Sequence, residues 1–283
     1  MWDSVNPDDS MLYPSEGAGG QLTNRADEFR GKVALVTGGS RGIGRASVLA
    51  FAELGCHVTF CYRSDHAAAE AVCEAAHAMR AAQAGGSAHA VRAVQADVGQ
   101  SDQAERWVAG VLAHHGRIDI LVNNAGEFPR RPFVEISDAE WERVLRTNLY
   151  SAFYCARAAL PAMIAAQQGA IINVASISGR RGSAFHAHYA AAKGGLLALT
   201  RSLAKEAIPH GIRVNAVSPG RIDTDMMVVG YQSDEAGRLL RDVPIGRMGT
   251  PEEVAEVVVF LASDASRYLV GETIEINGGL LMD

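Results

Sequence analysis

The sequence predicts an α/β fold: one domain built on a doubly wound parallel sheet of about seven strands, with helices on both faces. Three observations carry that expectation. Apolar strand-like runs alternate with long Ala- and Leu-rich helical patterns along the whole chain. Those runs show little polar alternation, as strands covered on both faces do. The first run passes through a glycine turn directly into a helix, the opening of a βαβ unit. The chain has 283 residues, and α/β folds of about 250 residues are often single domains.

Residues 1–30 are rich in Gly, Ser, Asp and Pro and show no periodicity, so a flexible arm is expected before a domain at 31–283. Trp2, Met11, Leu12 and Tyr13 offer the alternative that the arm docks on its own or a neighbouring subunit. Strand 33–36 leads into the turn carrying Gly38, Gly42 and Gly44, then a helix through Phe51 that Gly55 ends, then strand 58–61. Later strands fall at 118–122, 170–174, 212–217 and 273–276. The helical pattern 141–163 is interrupted by Asn148, whose side chain competes for backbone groups, so a kink is expected there. Helix 187–208 contains Gly194-Gly195, each costing about 1 kcal/mol relative to alanine, which implies a close approach.

Tyr189 and Lys193 stand four apart, so on a helix they share one face. A free tyrosine titrates near ~10, and poising it near ~7 takes about 4 kcal/mol. One ammonium at ~4 Å in an effective dielectric of ~20 supplies about that much. The pair therefore suits proton transfer. The glycine turn presents backbone N–H groups and a helix N-terminus to a pyrophosphate, although its GxxxGxG spacing departs from GxGxxG. Where a carboxylate would select an unphosphorylated ribose, the second strand ends on Tyr62, Arg63 and Ser64. With Arg41 in the turn, these favour a 2′-phosphate and thus NADPH over NADH, which stays possible if Arg63 stacks on adenine or Asp65 reaches the ribose.

Taken together and in this order, TGGSRGIG at 37–44, Asp97-Val98, Asn123-Asn124-Ala125-Gly126, Asn148, Ser176, Tyr189, Lys193, Pro219-Gly220 and Thr224 resemble the short-chain dehydrogenase/reductase family over about residues 31–280. The resemblance implies an oxidoreductase that reduces a ketone to a secondary alcohol, with Tyr189 as general acid/base, Ser176 on the carbonyl oxygen, Lys193 beside tyrosine and nicotinamide ribose, and Asn148 holding a water. It implies cofactor contacts from Gly38, Ser40, Arg41, Gly42, Ile43, Gly44, Tyr62, Arg63, Ser64, Asp97, Val98, Asn124, Ala125, Gly126, Tyr189, Lys193, Pro219, Gly220, Ile222 and Thr224. A sugar or alcohol dehydrogenase, or a non-catalytic cofactor sensor, are the alternatives. The family also implies a homotetramer, with a dimer as fallback, whose interface includes the helices bearing Asn148 and Lys193; its C-terminus packs near another subunit.

The net charge of −6 gives no basic footprint for nucleic acid. No apolar run approaches the ~18 residues of a span, and the acidic start lacks a signal peptide's basic region, so a cytoplasmic enzyme is expected. Cys56, Cys61, Cys73 and Cys155 lack metal-like spacing and read as small buried hydrophobes; no metal is expected. The substrate is a small carbonyl compound, covered by a variable segment at 223–244 with Met226, Met227, Gly230 and Gly237. Carrier-borne acyl groups are disfavoured, because 165–170 lacks basic residues and His210 stands where arginine is common in the family. Glu127, Arg130, Arg131, Arg180 and Arg181 read either as a face for an anionic substrate or as solvated surface charge. His186 and His188 are read as packing or solvent-facing.

Overall fold

A computed structural model describes residues 25–81, 91–230 and 241–282. Gly237, with the rest of the cover segment at 231–240, and residues 1–24 with their proposed docking side chains lie outside the described residues. The strands are β1 Val33–Thr37, β2 His57–Tyr62, β3 Val91–Gln95, β4 Ile120–Asn123, β5 Gly169–Val174, β6 Ile212–Pro219 and β7 Thr273–Ile276. All pair in parallel, in the order β3-β2-β1-β4-β5-β6-β7. The order reverses direction between β1 and β4, which opens a crevice at the strand C-terminal ends.

The helices are α1 Arg25–Phe29, α2 Gly42–Glu53, α3 His66–Ala81, α4 Ser101–His115, α5 Asp138–Leu145, α6 Ser151–Ala166, α7 Ser178–Arg181, α8 Ala187–Ala207, α9 Asp225–Gly230 and α10 Pro251–Ala262. Side chains alternate along each strand. Ala34, Val36, Phe60, Val122 and Ile172 therefore face α2, α3 and α10 through Val48, Phe51, Val72 and Val258. Leu35, Cys61, Leu121, Ile171 and Val214 face α4, α6 and α8 through Val108, Ala159, Met163 and Ala204. Burial pushes the Cys56 and Cys61 thiols up to about 12 and the Cys155 thiol well above its usual value. Cys73 is only half-buried.

Three sequence expectations shift. α1 lies inside the stretch read as a flexible arm: Phe29 is fully buried with its ring 5.8 Å from that of Phe51, so folded chain begins before residue 31. Ile118 precedes β4 although it is buried, because pairing with β1 begins two residues on, at Ile120 opposite Ala34. The helical stretch Asp138–Ala166, 29 residues long with a most apolar window of mean hydropathy 1.2, satisfies the length and composition of a membrane span that no run was expected to reach. Its α6 part buries Cys155, Ala156, Ala159 and Met163 beside β4 and β5, which is the pattern of a core helix.

The close approach implied by Gly194-Gly195 is satisfied within the chain. A Cβ on Gly194 would meet the Gly179 carbonyl oxygen at 3.1 Å, and one on Gly195 would meet Leu149 Cδ2 at 2.9 Å. Subunit contact is not needed to explain either glycine. The C-terminal residues also pack on their own chain: Ile245 N–H donates to Gly278 O (3.1 Å), and Cβ atoms on Gly278 and Gly279 would touch Val243, Pro244 and Ile245.

Candidate active site

The glycine turn joins β1 to α2, and its geometry needs glycine. Gly38 and Gly42 have φ of +67° and +53°, a region that side chains with a Cβ avoid. At Gly44 the limit is space, since a Cβ there would lie 2.1 Å from Gly38 O and 2.5 Å from Asn124 Nδ2. Arg41 occupies the N-cap of α2, and a guanidinium has no acceptor to offer the first-turn N–H groups. A helix N-terminus so arranged suits an anion. From the far end of the chain, Thr224 comes over the same turn, its methyl 3.2 Å from where a Gly42 Cβ would be. Ile222 fixes that return by a parallel bridge to Gly249, and Gly220 N–H donates to Ile276 O (2.9 Å). Pro219 ends β6.

Opposite the turn, Asn124 staples β4 to β1. Its backbone N–H and that of Ala125 donate to Thr37 Oγ1 (2.9 Å each), and its Nδ2 donates to Thr37 O (2.9 Å) and Gly38 O (3.1 Å). Thr37 was not singled out from sequence; a threonine ending a buried strand gives only a weak signal. At the end of β2, the Tyr62 ring is buried and its hydroxyl bonds His66 Nδ1 (2.9 Å), so this side chain is engaged with the start of α3. Arg63 and Ser64 are exposed. Asp65 Oδ1 accepts the Ala68 N–H at 3.0 Å, so that carboxylate serves the start of α3. Asp97 Oδ1 accepts Gly99 N–H (3.0 Å), and Val98 is buried. Arg63 and Asp97 line a cleft of about 410 Å³, closed on the other side by Glu142, Arg143, Arg146 and Thr147. These residues fit the adenosine diphosphate half of a dinucleotide: an anion cradle at the turn and a roomy, positively edged cleft beside it.

Ser176, Tyr189 and Lys193 gather at the end of β5. Lys193 Nζ donates to Val174 O, the last residue of that strand, at 2.8 Å. Ser176 follows two residues later, its Oγ accepting the Ser178 N–H at 3.1 Å. The turn through α7 is pressed on α8: a Cβ on Gly179 would meet the Lys193 carbonyl carbon at 2.7 Å. Lys193 Nζ stands 5.7 Å from the Tyr189 ring centroid. Burial lowers the lysine pKa from 10.5 to about 8. Asn148 sits in a π-helical turn, Arg146–Tyr150, between α5 and α6, which is the form the expected kink takes. Gly126 faces both Asn148 Oδ1 and Lys193 Nζ, at 2.8 and 3.7 Å from an added Cβ. All four residues are buried, at the C-terminal ends of the central strands β4 and β5.

The charged side chains around these strand ends are engaged within the chain. Arg131 Nε meets Glu140 Oε2 (3.2 Å), Arg180 meets Glu275 (3.0 Å), Arg130 lies over the Phe185 ring (4.1 Å), and Glu127 pairs with Arg143. Arg181 donates to Leu280 O at 3.4 Å. These pairings favour a structural reading over an anionic substrate face. His186 and His188 are both buried; the first stacks on Phe128 with ring centroids 3.7 Å apart, the second accepts the Tyr189 N–H at 3.0 Å. His188 titrates low because of burial, against the opposing pull of Glu140. Packing is their role. Phe128, which also meets the Tyr189 ring edge-on at 4.6 Å, was not anticipated.

A nucleotide-binding α/β oxidoreductase is the class that this sheet, turn and buried tyrosine–lysine pair define. A family model described as enoyl-(acyl carrier protein) reductase matches residues 38–281. The 3-oxoacyl-(acyl-carrier-protein) reductase of Staphylococcus epidermidis is 39% identical over 251 residues, covering 89% of this chain and 99% of its own. That of Chlamydia pneumoniae is 42% identical over 250 residues, 88% of this chain and 97% of its own. Among solved structures, a protein of Sinorhizobium meliloti 1021 described as a short-chain alcohol dehydrogenase is similar with a TM-score of 0.82 and 36% identity, covering 89% of this chain and 98% of its own. The chain belongs to the short-chain dehydrogenase/reductase family. It is an NAD(P)H-dependent oxidoreductase acting on CH–OH/C=O groups.

Proposed function

We propose that the protein is an NADPH-dependent ketoreductase in which Tyr189 exchanges the proton at the carbonyl oxygen. The observation that carries this reading is the buried Lys193 ammonium, one helical turn beyond Tyr189 and tied to Val174 O at the strand end that presents Ser176. Bound NADPH supplies the hydride that the carbonyl carbon receives. Tyr189 Oη donates the proton to the oxygen, and Ser176 Oγ hydrogen-bonds the same oxygen as negative charge grows on it. Burial lowers the Lys193 pKa to about 8, which leaves the side chain mostly charged at pH 7, and that charge favours the phenolate left on Tyr189. Asn148 keeps the π turn fixed beside Lys193 and orders a water leading toward solvent. The same groups run in reverse when an alcohol is oxidised.

NADPH preference is supported by Arg41 and Arg63 near the ribose end and by the engagement of Asp65 with α3. The cofactor's pyrophosphate would be held by Gly38, Ser40, Arg41, Gly42, Ile43 and Gly44, its adenine by Asp97 and Val98, and its nicotinamide half by Pro219, Gly220, Ile222 and Thr224. A low-molecular-weight ketone or free thioester is favoured over a carrier-borne one. Residues 165–170 carry no cation, and on that surface Gln167 Nε2 meets His210 Nδ1 at 3.5 Å. An acidic carrier would find little to dock on. A cytoplasmic homotetramer is part of the same proposal.

The test is steady-state NADPH oxidation with 3-oxoacyl N-acetylcysteamine thioesters, cyclic and aromatic ketones and keto-sugars, repeated with NADH. The thioesters are also compared with the same acyl groups on an acyl carrier protein. Turnover with NADPH that is faster than with NADH, and no gain from the carrier, is the expected result. A large gain from the carrier overturns the substrate reading, and tight NADPH binding without turnover in either direction overturns the ketoreductase reading.

A further inference from the structure

We propose that the Glu127–Arg143 ion pair is a positioning device for Asn148, resting on the reading that Asn148 serves the active site. Glu127 follows the Asn123–Gly126 segment at the end of β4, and its backbone holds the Asn148 amide from both sides. Its N–H donates to Asn148 Oδ1 (3.3 Å), and its carbonyl accepts from Asn148 Nδ2 (3.0 Å). The Glu127 carboxylate then reaches Arg143, five residues before Asn148 on the same continuous helix. Strand-end loop and helix are thus joined twice, once at the asparagine and once one and a half turns earlier.

The helix between the two joints is the part that departs from regular geometry. Arg146–Tyr150 forms a π turn, and Asn148 Nδ2 also donates to Val144 O within it (3.0 Å). A π turn is easily lost to a regular one unless its surroundings hold it. Arg143 anchors the turn's leading side; Thr147 Oγ1 returns to the Arg143 carbonyl at 3.1 Å, carrying that anchor to the residue next to Asn148. The pair is also more than a solvated surface contact. Glu127 is 18% exposed, and its second oxygen, Oε1, is buried with no hydrogen-bond partner. Among the described residues Arg143 is the cation that pairs with the carboxylate, so loss of the arginine leaves a largely buried charge unpaired.

The consequence is a functional one, because displacements of about 1 Å in a reacting group cost on the order of 100-fold in rate. Asn148 Oδ1 and Lys193 Nζ face the same Gly126 position, so a helix that relaxes at 146–150 moves the asparagine away from the lysine. The glycine turn lies on other elements and stays put, and Glu127→Gln leaves in place Arg143, which also lines the Arg63 cleft. Turnover falls while NADPH binding holds.

The test uses full-length Glu127→Gln, Arg143→Met and the exchanged pair Glu127→Arg/Arg143→Glu, with Asn148→Ala and Tyr189→Phe as references. Readouts are kcat with a 3-oxoacyl N-acetylcysteamine thioester, NADPH Kd by fluorescence titration, and amide hydrogen exchange of cofactor-free protein in peptides covering 144–151. Glu127→Gln should lower kcat about 10-fold or more, in the range expected for a displaced reacting group. NADPH Kd should stay within about twofold, with 144–151 exchanging faster and β5 peptides unchanged. The exchanged pair should recover part of the loss, and Glu127→Gln should add nothing in an Asn148→Ala background. If Arg143→Met does not fold, the near-isosteric Glu127→Gln still decides. Unchanged kcat and exchange in Glu127→Gln, or a loss that multiplies with Asn148→Ala, overturns the proposal alone. Wild-type turnover in Asn148→Ala and Tyr189→Phe overturns the active-site reading and the proposal with it.

Discussion

Lys193→Met should make the cofactor-free protein more stable at pH 7 while abolishing turnover. Burial lowers the Lys193 pKa from 10.5 to about 8. At about 1.4 kcal/mol per unit, that shift means the folded state holds the charged side chain at a cost of about 3 kcal/mol. Methionine fills a similar volume without the charge, but the bond to Val174 O is lost, which takes back about 2 kcal/mol for a charged donor. A net gain of about 1 kcal/mol follows. Because the folded pKa is depressed, the folded state binds fewer protons than the unfolded state between pH 8 and 10.5, so wild-type stability rises through that window. Below pH 8 both states are protonated and the full penalty acts. The advantage of the variant should therefore be constant below pH 8 and shrink as pH climbs toward 10.5. Urea midpoints of both proteins at pH 7, 8, 9 and 10 measure it. A variant less stable than wild type at pH 7, or a gap that does not narrow above pH 8, refutes the claim that desolvation sets the state of this lysine.

Two further substitutions probe the cofactor half. Gly44→Ala puts a Cβ 2.1 Å from a backbone oxygen, so the turn must move; stability should fall by about 1–3 kcal/mol and NADPH Kd should rise at least about tenfold, by thermal denaturation and fluorescence titration. Unchanged binding would remove the turn from the cofactor site. Arg63→Glu should raise NADPH Kd by about 10- to 100-fold, the worth of one charge-assisted contact of about 1.5–3 kcal/mol, and leave NADH nearly as before. Equal losses for both cofactors would assign Arg63 to adenine stacking instead.

What the sequence made legible was what local pattern encodes. The strand runs at 33–36 and 273–276, the glycine turn and the spacing of Tyr189 and Lys193 are contained in short segments, and the fold sets them where those segments imply. The kink at Asn148 was legible for the same reason, since asparagine competes with helix backbone, but its form as a π turn, with Asn148 Oδ1 accepting from Glu127 N–H 21 residues away, was not. Long-range pairings stayed hidden. Nothing near Thr37 announces that its hydroxyl holds Asn124 and Ala125, 87 and 88 residues away. The glycines at 194 and 195 imply a close approach, and within the chain Gly179 and Leu149 supply it, which no local pattern near either residue announces. The arginines at 130–131 and 180–181 looked available because their partners, Phe185, Glu140 and Glu275, come from distant segments.

The most direct measurement is kcat of Tyr189→Phe with NADPH and the best ketone substrate, alongside NADPH Kd. Removing one hydroxyl from a residue that is 8% exposed leaves packing against Phe128 intact. General acid–base catalysis contributes about 100- to 10,000-fold. A fall of that size with unchanged NADPH Kd is what a proton-donating Tyr189 predicts. A variant that still turns over at the wild-type rate contradicts it.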